Sequence, residues 1–230
     1  MRLFLVSIAF FSLVHTTQAA AQNNTVVVEL FTSQGCASCP PADEILHELA
    51  QRDDVIALAL HVDYWDYIGW VDVFGRPENT ARQQAYARAA KAKMVYTPQM
   101  VVGGVDMMIG SRPMRVMDAI QAHNSQPNLF DVHLTRSGDT LRIMAPAGEP
   151  GEYDVQLVRY VALQTVAIGR GENAGRELDY ANVVTAWDDL GQWDGTSPLM
   201  VSATTTGPEP AVVIIQTSGH GPIVGAAQLR

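Results

Sequence analysis

Both cysteines of the 230-residue chain lie in one stretch, Val26-Val27-Val28-Glu29-Leu30-Phe31-Thr32-Ser33-Gln34-Gly35-Cys36-Ala37-Ser38-Cys39-Pro40-Pro41-Ala42-Asp43, and it constrains the fold more than any other segment. Its β-branched apolar run predicts a buried strand. Gly35 permits a sharp turn, and Pro40-Pro41 ahead of Glu44-Ile45-Leu46-His47-Glu48-Leu49 predict the first turn of a helix. Cys36 then falls just before a helix N-terminus, with Cys39 about one turn further on. Unsatisfied N–H groups and the positive end of the helix dipole favour a thiolate there, well below the free-cysteine pKa. The expectation is an accessible nucleophile at Cys36 and a shielded resolving thiol at Cys39. A strand before the pair and a helix after it is the context that a redox reading needs. The competing reading is a permanent disulfide, although so short a loop stabilises by only roughly 2 kcal/mol.

The rest of the composition narrows the setting. The chain is 47% hydrophobic and 17% charged, an ordinary globular balance. Met1-Arg2, the apolar run Leu3 to Val14 and the small residues up to Ala19-Ala20-Ala21 read as a secretory signal peptide over residues 1–21, too short to span a bilayer. Its removal takes away Arg2 and leaves 14 basic residues against 24 acidic ones, a net charge of −10. That balance suggests no nucleic-acid partner. No later run reaches membrane-spanning length, so the expectation is a soluble periplasmic or secreted protein, in a compartment where a disulfide persists.

After the first strand and a helix at about Pro40–Gln51, Val55 to Val62 predict a second buried strand. Two such apolar strands suit a parallel pair covered on both faces. Arg76-Pro77-Glu78-Asn79 opens an alanine-rich helix to about Lys91. Two short apolar runs around Gly103-Gly104 predict a β-hairpin, and Ser111-Arg112-Pro113 opens a third helix through His123. Residues 22–126 thus read as one domain. Beyond Pro127 the pattern becomes apolar–polar alternation with Gly, Pro and Asp clusters, which predicts a β-rich module over residues 127–230, as two packed antiparallel sheets.

The element order, with Cys36 and Cys39 opening the first helix and Thr97-Pro98 leading into the third strand, resembles the thioredoxin fold over about residues 25–124. The fold class is therefore α/β, thioredoxin-like, with a C-terminal all-β module. More closely, Glu29 to Cys36, His61-Val62-Asp63-Tyr64-Trp65-Asp66 and Tyr96-Thr97-Pro98-Gln99 resemble the domain of unknown function 1223 family, exported bacterial thioredoxin-like proteins. The resemblance continues at Gly171-Glu172-Asn173-Ala174-Gly175 and Gly221-Pro222-Ile223. It implies that Cys36 attacks, Cys39 resolves, Pro98 is cis and faces the disulfide, and Thr97 offers its backbone to a substrate. It also points to Glu29 as a buried acid that takes the proton of Cys39, the alternative being a surface or turn-bonded carboxylate.

Around these residues, Asp63 and Trp65 are supporting candidates. His61, Asp63 and Asp66 read as a capped strand end with hydrogen-bonded carboxylates more readily than as metal ligands, and Trp65, Tyr67 and Trp70 as packing beside the site. The function expected is thiol–disulfide exchange with protein or small-molecule thiols and disulfides, without an organic cofactor or metal. The alternatives are a soft-metal (copper) protein, with Met94, Met100 or His47 assisting the cysteines, and a non-catalytic interaction module.

Overall fold

The computed structural model describes residues 24–230, so the expected signal segment lies outside the described residues. The chain is mixed α/β. Its first part runs β1 (Val26–Thr32), α1 (Pro40–Leu49), β2 (Val55–His61), α2 (Pro77–Ala89), β3 (Gln99–Val102), β4 (Asp106–Ile109) and α3 (Pro113–Asn124). The remainder is β5 (His133–Ser137), β6 (Thr140–Ala145), β7 (Tyr153–Ala167), β8 (Glu177–Trp193), β9 (Leu199–Thr204), β10 (Ala211–Thr217) and β11 (Ile223–Leu229).

The apolar runs of β1 and β2 are continuous because both faces are covered. Val28 and Leu30 pack with Ala42, Leu46 and Leu49 of α1 and with Val116 and Ile120 of α3. Val27 and Phe31 point to the opposite side, against Tyr86 of α2 and Leu58 and Leu60 of β2. Burial of each such side chain contributes about 1.5–3 kcal/mol. β1 and β2 pair in parallel from Val26↔Val55 to Thr32↔His61, and β3 joins antiparallel with Gln99 opposite Phe31. The C-terminal ends of β1 and β2 and the residues leading into β3 therefore meet at one sheet edge, where the cysteines lie.

The expected pair of separate antiparallel sheets beyond residue 127 does not form. β5, β6 and β9 make a three-stranded sheet, while β7, β8, β10 and β11 extend the first sheet, in the order β11-β10-β7-β8-β2-β1-β3-β4. The join is parallel, at Ala59↔Val183. Asn182, with a left-handed φ of 49°, turns its amide so that Nδ2 donates to the Ala57 carbonyl at 2.8 Å. A side chain thus supplies the donor that an unbroken ladder would have taken from backbone, and the β7–β8 ribbon continues past the join to the cysteine edge. The smaller sheet packs through Leu141 and Ile143, together with Phe130 from the segment before β5, on Val155, Leu157, Val213 and Ile215.

Candidate active site

Two successive turns deliver the cysteines from β1 to α1: Cys36 N–H donates to the Ser33 carbonyl and Cys39 N–H to the Cys36 carbonyl. The sulfurs are bonded, with the Cα atoms 5.4 Å apart. Cys39 is the N-cap of α1 and Pro40 opens the helix. The free N–H groups expected at this terminus are not there. Pro40 and Pro41 have none, and those of Ala42 and Asp43 both donate to the Cys39 carbonyl. What remains to stabilise a Cys36 thiolate is the helix dipole and the Ser38 hydroxyl, whose Oγ lies 3.4 Å from Cys36 Sγ. The expected exposure of Cys36 is also overturned, since Cys36 is 1% exposed and Cys39 0%.

The turn that carries Cys36 is held by parts of the chain far away in sequence. Trp70 donates its Nε1–H to Gln34 Oε1 at 2.8 Å, and the Gln34 N–H donates to Asp72. From the β7–β8 connection, Asn173 Nδ2 donates to the carbonyls of Gln34 and Cys36, at 2.9 and 3.0 Å. Ile68 and Trp65 lie directly against Gly35, where a Cβ would approach Ile68 to 3.1 Å.

Beneath the pair is a further buried polar group, centred on Asp43. Asp43 sits four residues after Cys39 on α1, and residues so spaced share a helix face with Cβ atoms roughly 5–6 Å apart. Its Oδ1 accepts from Thr32 Oγ1 at 2.8 Å, while Oδ2 has no partner. Thr32 and His61 are paired across β1 and β2. His61 Nδ1 bonds Asp72 Oδ2 at 2.8 Å, and the ring lies edge-on to Tyr180 of β8 at 4.8 Å. His61 Nε2 and the Tyr180 hydroxyl are also buried without partners. Burial pushes the Asp43 carboxyl up to about 7, with His61 and Thr32 opposing and Asp72 and Glu44 reinforcing. Burial pushes Asp72 up too, but the His61 charge and hydrogen bonds from His61, Gln34 N–H and Phe74 N–H outweigh it and hold that carboxyl below its usual range.

Glu29 is not in this cluster. Side chains alternate along β1, so Glu29 faces α2, away from the Asp43 side, and binds Arg82 through both oxygens at 2.6 and 3.2 Å. Tyr86 donates to it as well, and Arg82 also reaches Gln216. The acid expected to serve Cys39 is thus occupied in a buried ion pair, and the acid under the pair is Asp43. One signal in the sequence marked it: a carboxylate on the otherwise apolar Cys39–Ala42–Leu46 face of the helix.

The other expected residues divide. Trp65 Nε1 donates to Thr97 Oγ1 at 2.7 Å, and the Thr97–Pro98 bond is cis. Pro98 is buried beside Gln99, whose partner Phe31 is in the strand that leads to Cys36. Asp63 accepts from Thr80 Oγ1 at 2.6 Å and so ties the end of β2 to α2. Asp66 accepts from Asp72 N–H. Tyr67 stacks on Trp65 yet is 81% exposed. Met94, Met100 and His47 do not share one environment: Met100 is sealed in the layer under α1, Met94 is exposed, and His47 lines a cleft with Glu44 and Glu177.

The family model for the protein of unknown function DUF1223 matches residues 27–216. The chain belongs to this family. The matched residues take in the cysteine segment and the β7–β8 ribbon, and end at Gln216 within β10. The solved structure of protein AGR_C_4864 from Agrobacterium tumefaciens is 37% identical, with 89% of this chain and 93% of that one covered and a TM-score of 0.78. HBP35 of Porphyromonas gingivalis is 15% identical over 90% of this chain and 74% of that one, with a TM-score of 0.54, a likeness of fold alone. No curated protein sequence matches the chain.

Proposed function

We propose that this DUF1223 protein is an exported, thioredoxin-like thiol–disulfide oxidoreductase of the periplasm or extracellular space. The observation that carries the reading is a Cys36–Cys39 disulfide at the start of α1 with the half-satisfied carboxyl of Asp43 one turn behind it. The parallel β1–α1–β2 unit and the cis Thr97–Pro98 bond at the same sheet edge support the thioredoxin-like assignment.

In the oxidised form a substrate thiolate bonds to Cys36 Sγ, and the Cys36–Cys39 bond breaks. Cys39 leaves with the electron pair and takes a proton from Asp43. A second substrate thiol then displaces Cys36, so the substrate is oxidised by two electrons and the protein holds two thiols. In reverse, Asp43 accepts the proton of Cys39 as it attacks the mixed disulfide. A carboxyl that titrates near neutrality serves both directions, and no organic cofactor is needed. Thr97 would present its backbone to a substrate segment, with Trp65 holding its side chain, and partners are protein or small-molecule thiols and disulfides.

The two cysteines should behave differently. Cys39→Ala should still form mixed disulfides that accumulate as reducible high-mass bands, whereas Cys36→Ala should trap nothing. Identical behaviour of the two variants in trapping, and in alkylation of the reduced protein, would sink the reading and leave a structural disulfide or a paired-ligand role.

A further inference from the structure

The segment Gly171-Glu172-Asn173-Ala174-Gly175 has no part in the exchange chemistry above, yet it reaches the backbone of Cys36. It is the connection between β7 and β8, carried to the cysteine edge by the long ribbon that passes the Asn182 join. The loop is internally braced: Ile168 N–H donates to the Arg176 carbonyl, Gly175 N–H to Ile168 and Arg176 N–H to Asn173. Gly171 and Gly175, with φ of 78° and 80°, allow its tight return. At its tip Asn173 is 2% exposed, although it lies in a surface connection. Its Nδ2 makes both donations across the fold, to Gln34 and Cys36, while Arg176 Nη1 donates to its Oδ1 at 3.1 Å and fixes the amide's orientation. Trp70 completes the closure, since its ring and Cβ lie 3.2 and 3.3 Å from where Cβ atoms on Gly169 and Gly171 would be.

The geometry points to Asn173 as the latch of a lid over Cys36, through which the strands beyond residue 127 govern which thiols react. This rests on the exchange reading above. With Cys36 only 1% exposed, an in-line approach to its Sγ needs the turn that carries it to move, so the two bonds by which Asn173 holds the Gln34 and Cys36 carbonyls must be released before attack. A small thiol needs a small opening, and a thiol on a bulky carrier needs the whole loop displaced. Asn173 is therefore a positioning residue that acts through access and sets a size preference. Its amide matches two carbonyl acceptors, whereas a carboxylate in its place would meet them with like partial charge.

The test uses the full oxidised protein and two reductants, free dithiothreitol and the same dithiol tethered to polyethylene glycol. In each reaction a reagent thiolate bonds to Cys36, Cys39 leaves as thiolate, and the second reagent thiol closes a reagent disulfide, with two electrons passing to the protein. Asn173→Ala should raise the rate with free dithiol by roughly tenfold, the loss of two ordinary hydrogen bonds. The rate with tethered dithiol should rise more, and Asn173→Asp should exceed both. The ratio of the two rates is a readout that a merely structural role does not move. Unchanged rates and an unchanged ratio in both variants overturn the latch. So does acceleration that grows with urea as steeply as global unfolding, because opening of a local lid exposes little surface. Reduction by reagents does not depend on substrate trapping. A latch that responds in a protein that traps nothing therefore counts against the exchange reading alone, and trapping with Asn173-independent rates counts against the latch alone.

Discussion

Asp43→Asn replaces a titratable carboxyl with a neutral amide of similar volume that keeps the acceptor for Thr32, so it tests the polar cluster under the disulfide directly. Below the ordinary carboxyl value of 3.8 the side chain is neutral whether folded or unfolded, and the two proteins should differ little. Between 3.8 and about 7 the unfolded carboxyl is ionised while the folded one holds its proton. The native state then binds more protons than the unfolded state, so wild-type stability falls as pH rises through this interval. At about 1.4 kcal/mol per pH unit the interval corresponds to roughly 4 kcal/mol, an upper bound because nearby charges adjust. The groups facing Asp43 are His61 from β2, Asp72 from the connection after it, Tyr180 from β8 and Glu44 on its own helix. His61 attracts the ionised form, and the carboxylates of Asp72 and Glu44 repel it. Only the part of that interval above pH 5 is sampled by urea unfolding of the oxidised proteins at about pH 5 and about pH 8, so the variant should gain on wild type by roughly 1–3 kcal/mol between the two. The same variant should slow resolution of the mixed disulfide near neutrality while leaving alkylation of a lone Cys36 unchanged. A stability difference that is the same at both pH values, or one in which wild type gains as pH rises, would refute the assignment of a buried protonated carboxyl.

Arg82→Met should leave Glu29 buried with Tyr86 as its remaining donor and cost about 3–5 kcal/mol in urea unfolding, whereas Glu29→Leu with Arg82→Met should recover most of that loss. A single-variant cost below about 1 kcal/mol would show that the pair is not shielded as its geometry implies. The mature chain should begin at Ala20 or Gln22, as N-terminal sequencing of exported protein would show, and recovery of the intact Met1 chain from membranes would count against export by cleavage.

The sequence by itself determined the elements whose causes are local. The β-branched runs, the Pro-opened helices and the Gly103-Gly104 hairpin form at the positions their patterns predict, because turn chemistry and apolar periodicity act over a few neighbouring residues. The same locality put Cys36 and Cys39 at a strand-to-helix turn. Locality also misled. A helix N-terminus implied free N–H groups, yet two prolines and the Cys39 carbonyl removed them, and a buried strand acid implied Glu29. Which face of β1 an acid occupies follows from counting alternation, but what covers that face depends on helices far along the chain. Only the tertiary structure decided that Arg82 takes Glu29 and that Thr32, Asp43, His61 and Tyr180 meet beneath the disulfide. The late strands likewise extend the first sheet, because one left-handed asparagine at position 182 bridges to β2. The closure of Cys36 by Asn173 is of the same kind: a contact across 137 positions has no periodicity to announce it, since it exists only once the sheet that carries both residues has formed.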